Sequence, residues 1–218
     1  MDFSLFSKLA QIPSAPGREE LLAEEIISEI KPYCDGVRID RMGNVIAFKK
    51  GTGGNRIMVA AHMDEVSLKV RYIDDKGFIY FTLTGGIDAR TLLSQRVTIV
   101  TEEHGLIPGV IGAKAAHYLT AAEKTQGVDA ASLSIDTGYG AQEVRDMISI
   151  GDPVVLDRVP RELGGDLFTS KAIDDRAGVY ILLEVIKNMP KSHRNDIYFV
   201  FSVQEEYGLI GAEAATAD

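Results

Sequence analysis

One histidine and five acids, grouped in three short stretches, are the residues of this chain best suited to chemistry. Each stretch closes or opens an apolar segment, where side chains can leave a core and face a cleft. In AAHMDEV, His62 and Asp64 are two residues apart, so along a strand they share a face while Met63 takes the other. That spacing can hand the second ring N–H of a metal-binding histidine to a carboxylate, which fixes tautomer and orientation. Alone, a histidine at a strand end is more often a hydrogen-bonded structural residue. In SKAIDDRAGVY, Asp174 and Asp175 stand at the start of a helix, where one aspartate commonly caps free N–H groups. One cap suffices, so a tandem pair leaves one carboxylate to account for, and a carboxylate can bridge two cations. In FSVQEEYGLIGA, Glu205 and Glu206 end the buried strand that begins at Ile197. Like charges side by side raise each other's pKa unless cations offset them. The plainer alternative is that the strand has already ended and both acids are solvated in the next turn. Together, a histidine and carboxylates without a thiolate form a ligand set for zinc, cobalt or manganese rather than a structural zinc finger.

The elements that must position these residues follow from hydropathy. Phe3, Leu5, Phe6 and Leu9 mark a short amphipathic helix, and Pro13, Pro16 and Gly17 break the chain after it. From Arg18 to Ile30, Leu21, Leu22, Ile26, Ile27 and Ile30 recur at helical spacing with acids outward. GVRID, VIAFK and RIMVAAH read as strands, the last as one buried on both faces of a layered α/β sheet. From Ser67 to about Gly165 the pattern becomes short strands (SLKVRYI, FIYFTLT, RVTIV, LIPGVIG, DPVVLD) between polar turns, with brief helical stretches near Ala121 and Val144. A helix from Asp175 to Met189 and a second fully buried strand, IYFVFSV, then return. The reading is an α/β catalytic domain, residues 1–66 and 166–218, interrupted by a β-rich, barrel-like insertion at 67–165.

Those three stretches, in that order and with a β-rich segment between the first two, resemble the glutamyl aminopeptidase/tetrahedral aminopeptidase family of cocatalytic two-metal peptidases. The similarity runs from the first helix to Asp218 and takes in GVIG at Gly109–Gly112 and the nearby His117. The resemblance implies that His62 binds one divalent metal (zinc or cobalt, or manganese), Asp174 bridges both and Glu206 binds the second. Asp64 would orient His62, Glu205 would act as general base, and the bond after Asp174 would be cis. It also implies a layered zinc-peptidase-like fold, peptide substrates with a free N-terminus, and homo-oligomers built through the insertion. The family usually has Asp-Asn where this chain has Asp174-Asp175; the second position is not a ligand in related enzymes. The family's two further ligands, an aspartate downstream of Glu206 and a C-terminal histidine, do not occur before Asp218. The expectation is therefore of a truncated catalytic domain, with underligated metals, exposed apolar surface and no activity alone. His104, His117 and His193 read as solvated or structural residues.

Other readings are a related two-metal deacylase or carboxypeptidase, a glycosidase using a carboxylate pair, and an inactive assembly subunit. The length and β character of the segment between His62 and Asp174 favour the aminopeptidase. Composition narrows the field: 45% hydrophobic and 25% charged residues fit a globular chain, and a net charge of −9 argues against a nucleic-acid partner. The single cysteine, Cys34, permits no intrachain disulfide. There is no signal-peptide pattern at the start and no run near the roughly 18 apolar residues of a membrane span. A cytoplasmic location is the default expectation.

Overall fold

A computed structural model describes residues 2–121, 125 and 127–217. Helix α1 (Phe3–Gln11) opens on Asp2, whose carboxylate accepts from the amides of Ser4 and Leu5. Helix α2 (Glu20–Ile30) starts later than the apolar spacing suggests, because Glu19 turns inward instead of out. Its Oε1 accepts from the amides of Gly17 at 2.9 Å and Gln204 at 3.0 Å. Strands β1 (Gly36–Ile39), β2 (Val45–Lys49) and β3 (Arg56–His62) follow. The next stretch holds β4 (Ser67–Ile73), β5 (Ile79–Thr84), β6 (Arg96–Val100), β7 (Leu106–Gly112), β8 (Ser134–Asp136), α3 (Ala141–Met147) and β9 (Pro153–Leu156). The chain ends with the short hairpin β10 (Arg161–Glu162) and β11 (Phe168–Thr169), then α4 (Ile173–Asn188), β12 (Asp196–Ser202) and α5 (Ile210–Ala215).

Two compact units result: residues up to Glu65 with those from Val159, and Val66–Arg158. The second ends at Arg158, ahead of the 165 boundary drawn from turn composition, and Phe168 on β11 packs against Phe6 of α1 within the first, ring centroids 4.7 Å apart. Val66–Arg158 forms a closed barrel in the order β4-β5-β8-β7-β6-β9, filled by Leu68, Val70, Phe81, Ile99, Ile111 and Ile135 among others. The α3 helix is the stretch expected near Val144; that expected near Ala121 runs into residues 122–124 and 126, outside the described residues. No helix is long and apolar enough to cross a membrane among the described residues.

The first unit is a four-stranded sheet, β1-β2-β12-β3, with α1, α2 and α4 on one face. Val45, Ala47, Ala61, Phe199 and Phe201 turn toward Leu22, Ile26, Val179 and Leu183 to make its core. β3 is not buried on both faces. It is an edge strand paired only with β12 among the described residues, so Ile57, Met58 and Val59 are exposed and burial begins at Ala61. β12 is likewise half-buried at its start and buried only from Phe199.

What positions the site is the parallel pairing of β3 and β12, which sets Ser202 beside His62. Both strands therefore end at one edge of the sheet, the edge at which open α/β sheets bind ligands. The end of β12 is fixed by Asn44, wholly buried: its Oδ1 accepts from Val203 N and its Nδ2 donates to Gly211 O and to Asp40 Oδ2. Gly211 approaches so closely that a Cβ there would lie 2.2 Å from the Val203 carbonyl oxygen and 2.5 Å from Asn44 Oδ1. Gly211→Ala should therefore lower stability by about 1–3 kcal/mol, as forced overpacking does. Thermal unfolding checks this, and an unchanged midpoint would mean that the α5 contact does not hold the end of β12.

Candidate metal centre

The three acidic stretches come together, and each does so for a local reason. His62 is the last residue of β3 and is largely buried. Asp64, in the turn after it, is fully buried, and its two oxygens serve different partners. Oδ1 lies 3.5 Å from His62 Nδ1 and accepts from Glu205 N at 2.9 Å; Oδ2 accepts from Glu206 N at 2.9 Å. His62 Nδ1 is also 3.1 Å from the Asp64 carbonyl oxygen. Asp64 thus lies beside the ring and also fastens the loop that bears both glutamates, which no spacing in the sequence indicates.

The tandem aspartates divide their roles. Their peptide bond is cis, and neither Asp174 nor Asp175 has helical backbone angles, so the regular part of α4 begins after them. Asp175 is the cap: its Oδ1 accepts from Gly178 N at 2.9 Å, and its Oδ2 accepts from His62 N at 3.4 Å. Asp174 is left over and points the other way, its Oδ1 2.9 Å from His62 Nε2, with 91% of its side chain exposed. Its carboxylate faces solvent beside the His62 ring.

Glu205 and Glu206 do not end a buried strand. β12 stops at Ser202 and the two acids form a 3₁₀ turn, Glu205–Tyr207, behind Gln204, whose φ of 55° is left-handed. The plainer alternative is right about the strand's end but not about full solvation, since both glutamates are half-buried. Glu205 Oε2 lies 3.9 Å from His62 Nε2. Glu206 is joined to the cluster through its backbone N–H rather than by a side-chain hydrogen bond among the described residues.

The electrostatics reflect excess negative charge. Burial pushes the Glu206 carboxyl up, and the charges of Glu205, Asp64 and Asp174 push it further than His62 pulls it back. Burial alone would lower the His62 pKa, but the hydrogen-bonded carboxylates of Asp64 and Asp174 outweigh it, with Glu205 helping, and raise it to about 9. Burial would raise Asp64, yet His62 and the amides of Glu206 and Glu205 hold it below the usual carboxylate value. A hard or borderline divalent cation suits such donors: one imidazole, several carboxylates and no thiolate. Among the described residues, no three His, Cys, Asp or Glu side chains already stand in an arrangement that would hold an ion by themselves. His104 and His117 lie in the barrel unit, and His193 bonds locally, Nδ1 to the Asn195 carbonyl at 2.8 Å.

Sequence reasoning missed three charged residues behind this cluster: Glu65, Lys171 and Arg176, each less than a tenth exposed. Arg176 carried a readable signal, because it falls in helical register with Val179, Leu183 and Ile186 on the apolar stripe of α4. Glu65 and Lys171 carried none.

Comparison with known proteins finds relatives along nearly the whole chain. The sequence model for the M42 glutamyl aminopeptidase family matches residues 43–218. A protein of Acetivibrio thermocellus named as a prospective aminopeptidase is 42% identical over 216 residues, covering 98% of this chain and 61% of its own length. Among solved structures, an aminopeptidase from the archaeon Desulfurococcus kamchatkensis superposes with a TM-score of 0.91 at 39% identity, over 97% of this chain and 58% of that one. The Pyrococcus horikoshii TET1 peptidase, which can assemble into a tetrahedron or a large octahedral shell, superposes with a TM-score of 0.88 at 36% identity, over 98% of this chain and 64% of that one. The chain spans about three-fifths of the length of the curated relatives it matches.

The raised His62 pKa has a consequence for stability. A group whose folded pKa lies above its unfolded 6.5 contributes stability that is fully present below 6.5 and is lost as pH rises through about 9. In chelator-treated protein the unfolding midpoint should therefore fall across that interval, and the His62 ring protons should titrate near 9 by NMR. A His62 midpoint close to 6.5 would show that the carboxylates do not grip the ring.

Proposed function

The chain belongs to the M42 glutamyl aminopeptidase family, and on that premise we propose that it carries the core of a two-metal aminopeptidase that removes N-terminal residues from peptides. The observation that carries this reading is the meeting of His62, Asp174 and Glu205 at one sheet edge, with Asp64 gripping both the ring and the Glu205–Glu206 loop. His62 and Glu206 would each hold one divalent ion, zinc or cobalt by the donor set or else manganese, and Asp174 would bridge the two. When bound, such a pair supplies Lewis acidity, activating a water and polarising the scissile carbonyl.

The protein's own residues account for the rest. Glu205 would take the proton from the attacking water on a carboxylate oxygen and give it to the departing amine. It is near the ring but is not assigned as a ligand, which leaves its oxygens free for proton transfer. Asp64 would keep His62 in the tautomer with Nδ1 protonated, so that Nε2 faces the ions. The carboxylate cluster gives a protonated α-amine an anionic surface to meet, which fits selection of free N-termini. The barrel Val66–Arg158 would supply the contacts between copies in a homo-oligomer, as the assemblies of the Pyrococcus horikoshii relative suggest.

The roles separate by mutation of the full-length protein. Glu205→Gln should reduce hydrolysis of aminoacyl anilides by about 10²–10⁴-fold while metal content stays close to wild type. His62→Ala should lower metal content itself, and N-acetylated substrates should resist the wild type. Equal metal loss in the two variants would remove Glu205 as the base, and ready cleavage of N-blocked substrates would favour a deacylase.

A further inference from the structure

Asp174 presents a difficulty that its own contacts do not resolve. Its carboxylate is 91% exposed, so side-chain packing cannot hold it 2.9 Å from His62 Nε2. The backbone must place it, and this backbone is unusual: Ala172, two residues earlier, sits at φ 52°, in the left-handed region disfavoured for a residue with a Cβ. Such a conformation persists where the surroundings over-determine it.

The surroundings do so from both sides. Before Ala172, Lys171 Nζ donates to both oxygens of Glu65, at 2.6 and 2.7 Å, in a pair almost sealed from solvent. After Asp174, the wholly buried Arg176 donates through one terminal nitrogen to the Met63 carbonyl and through the other, at 3.2 Å, to the Ile12 carbonyl; the latter nitrogen lies 3.7 Å from Glu65 Oε1. Glu65 is held in turn by the Ser14 loop: its Oε1 accepts from Ser14 N at 3.3 Å, and its own N–H donates to the Ser14 carbonyl at 2.9 Å. Both ties thus run from the segment bearing Asp174 to residues 63–65, the turn that follows His62 and contains Asp64.

We propose that Lys171, through its buried ion pair with Glu65, is a positioning residue that fixes the separation and orientation of His62 and Asp174, and so the affinity of the site for divalent ions. The inference rests on the metal-site reading given above. A merely stabilising ion pair would be dispensable, since replacing a buried pair by a neutral one is often nearly neutral for stability. A positioning pair is not dispensable, because two short directional bonds from one ammonium fix the backbone of residue 171 in a way a neutral contact does not.

The two roles are separated by Lys171→Met and by the double variant Lys171→Met/Glu65→Gln, which removes both charges and keeps the net charge constant. The readouts are thermal unfolding and titration with Co(II), followed by its visible absorption. The single variant should lose both stability and Co(II) affinity, because it leaves Glu65 buried without its ammonium partner. The double variant should recover most of the unfolding midpoint yet still bind Co(II) about tenfold more weakly, as loss of a ligand-orienting group does, with an altered absorption band. Recovery of affinity together with the midpoint would overturn the positioning role, as would unchanged affinity in both variants. Absence of Co(II) binding by the wild type would instead overturn the metal-site reading, and this proposal with it.

Discussion

The site depends first on a single buried carboxylate. Asp64 is fully enclosed, and both its oxygens are engaged, by the His62 ring and by the amides of Glu205 and Glu206. A buried carboxylate is costly unless hydrogen-bonded. Here its partners are the end of one strand and the loop after the neighbouring strand. The parallel register that sets Ser202 beside His62 brings those groups within reach, so the sheet's topology and the polar contacts at its edge support each other. If β3 were one residue out of register, His62 would turn to the other face and Asp64 would have neither partner.

Around that centre, acids of the same type have been given different tasks by their environments. Asp175 is spent on capping α4, which frees Asp174 to face outward beside His62. Glu19 is turned inward to hold the amide of Gln204, whose left-handed backbone directs the Glu205–Tyr207 turn. Burial pushes the Glu19 carboxyl up, against the hydrogen bonds from Gly17 and Gln204. Glu65 takes the ammonium of Lys171, and Arg176 lies close behind it, a cation whose burial lowers its own pKa against the pull of Glu65, Asp64 and Glu19. The interior cations Lys171 and Arg176 are thus paired with or close to Glu65, and Asp174 is left facing solvent.

Much of this was legible in the sequence because it is written in local spacing. The three acidic stretches, the helices, the α/β layer and the short strands of the insertion follow from period and from residue type at the ends of apolar runs, whereas the strand order that closes the barrel does not. What could not be read depends on partners distant in the chain. β3 is as apolar as a central strand, yet its position at the sheet edge, set by pairing with β12, leaves Ile57–Val59 exposed. Glu19 reads as one more outward acid of α2 until Gln204 arrives beside it, 185 residues later. Lys171 and Glu65 are separated by 106 residues, and neither has a pattern that predicts the other. Spacing is likewise silent on which of two tandem acids turns to the helix and which to the histidine.

The central claim is that these side chains surround a pair of divalent ions, and location of bound metal tests it most directly. Anomalous diffraction at the metal edge, from full-length protein loaded with Zn(II), should show two peaks between His62 and Glu206 with Asp174 touching both and Glu205 touching neither. A single peak, peaks away from the edge where β3 and β12 end, or Glu206 turned away from both ions would contradict the account.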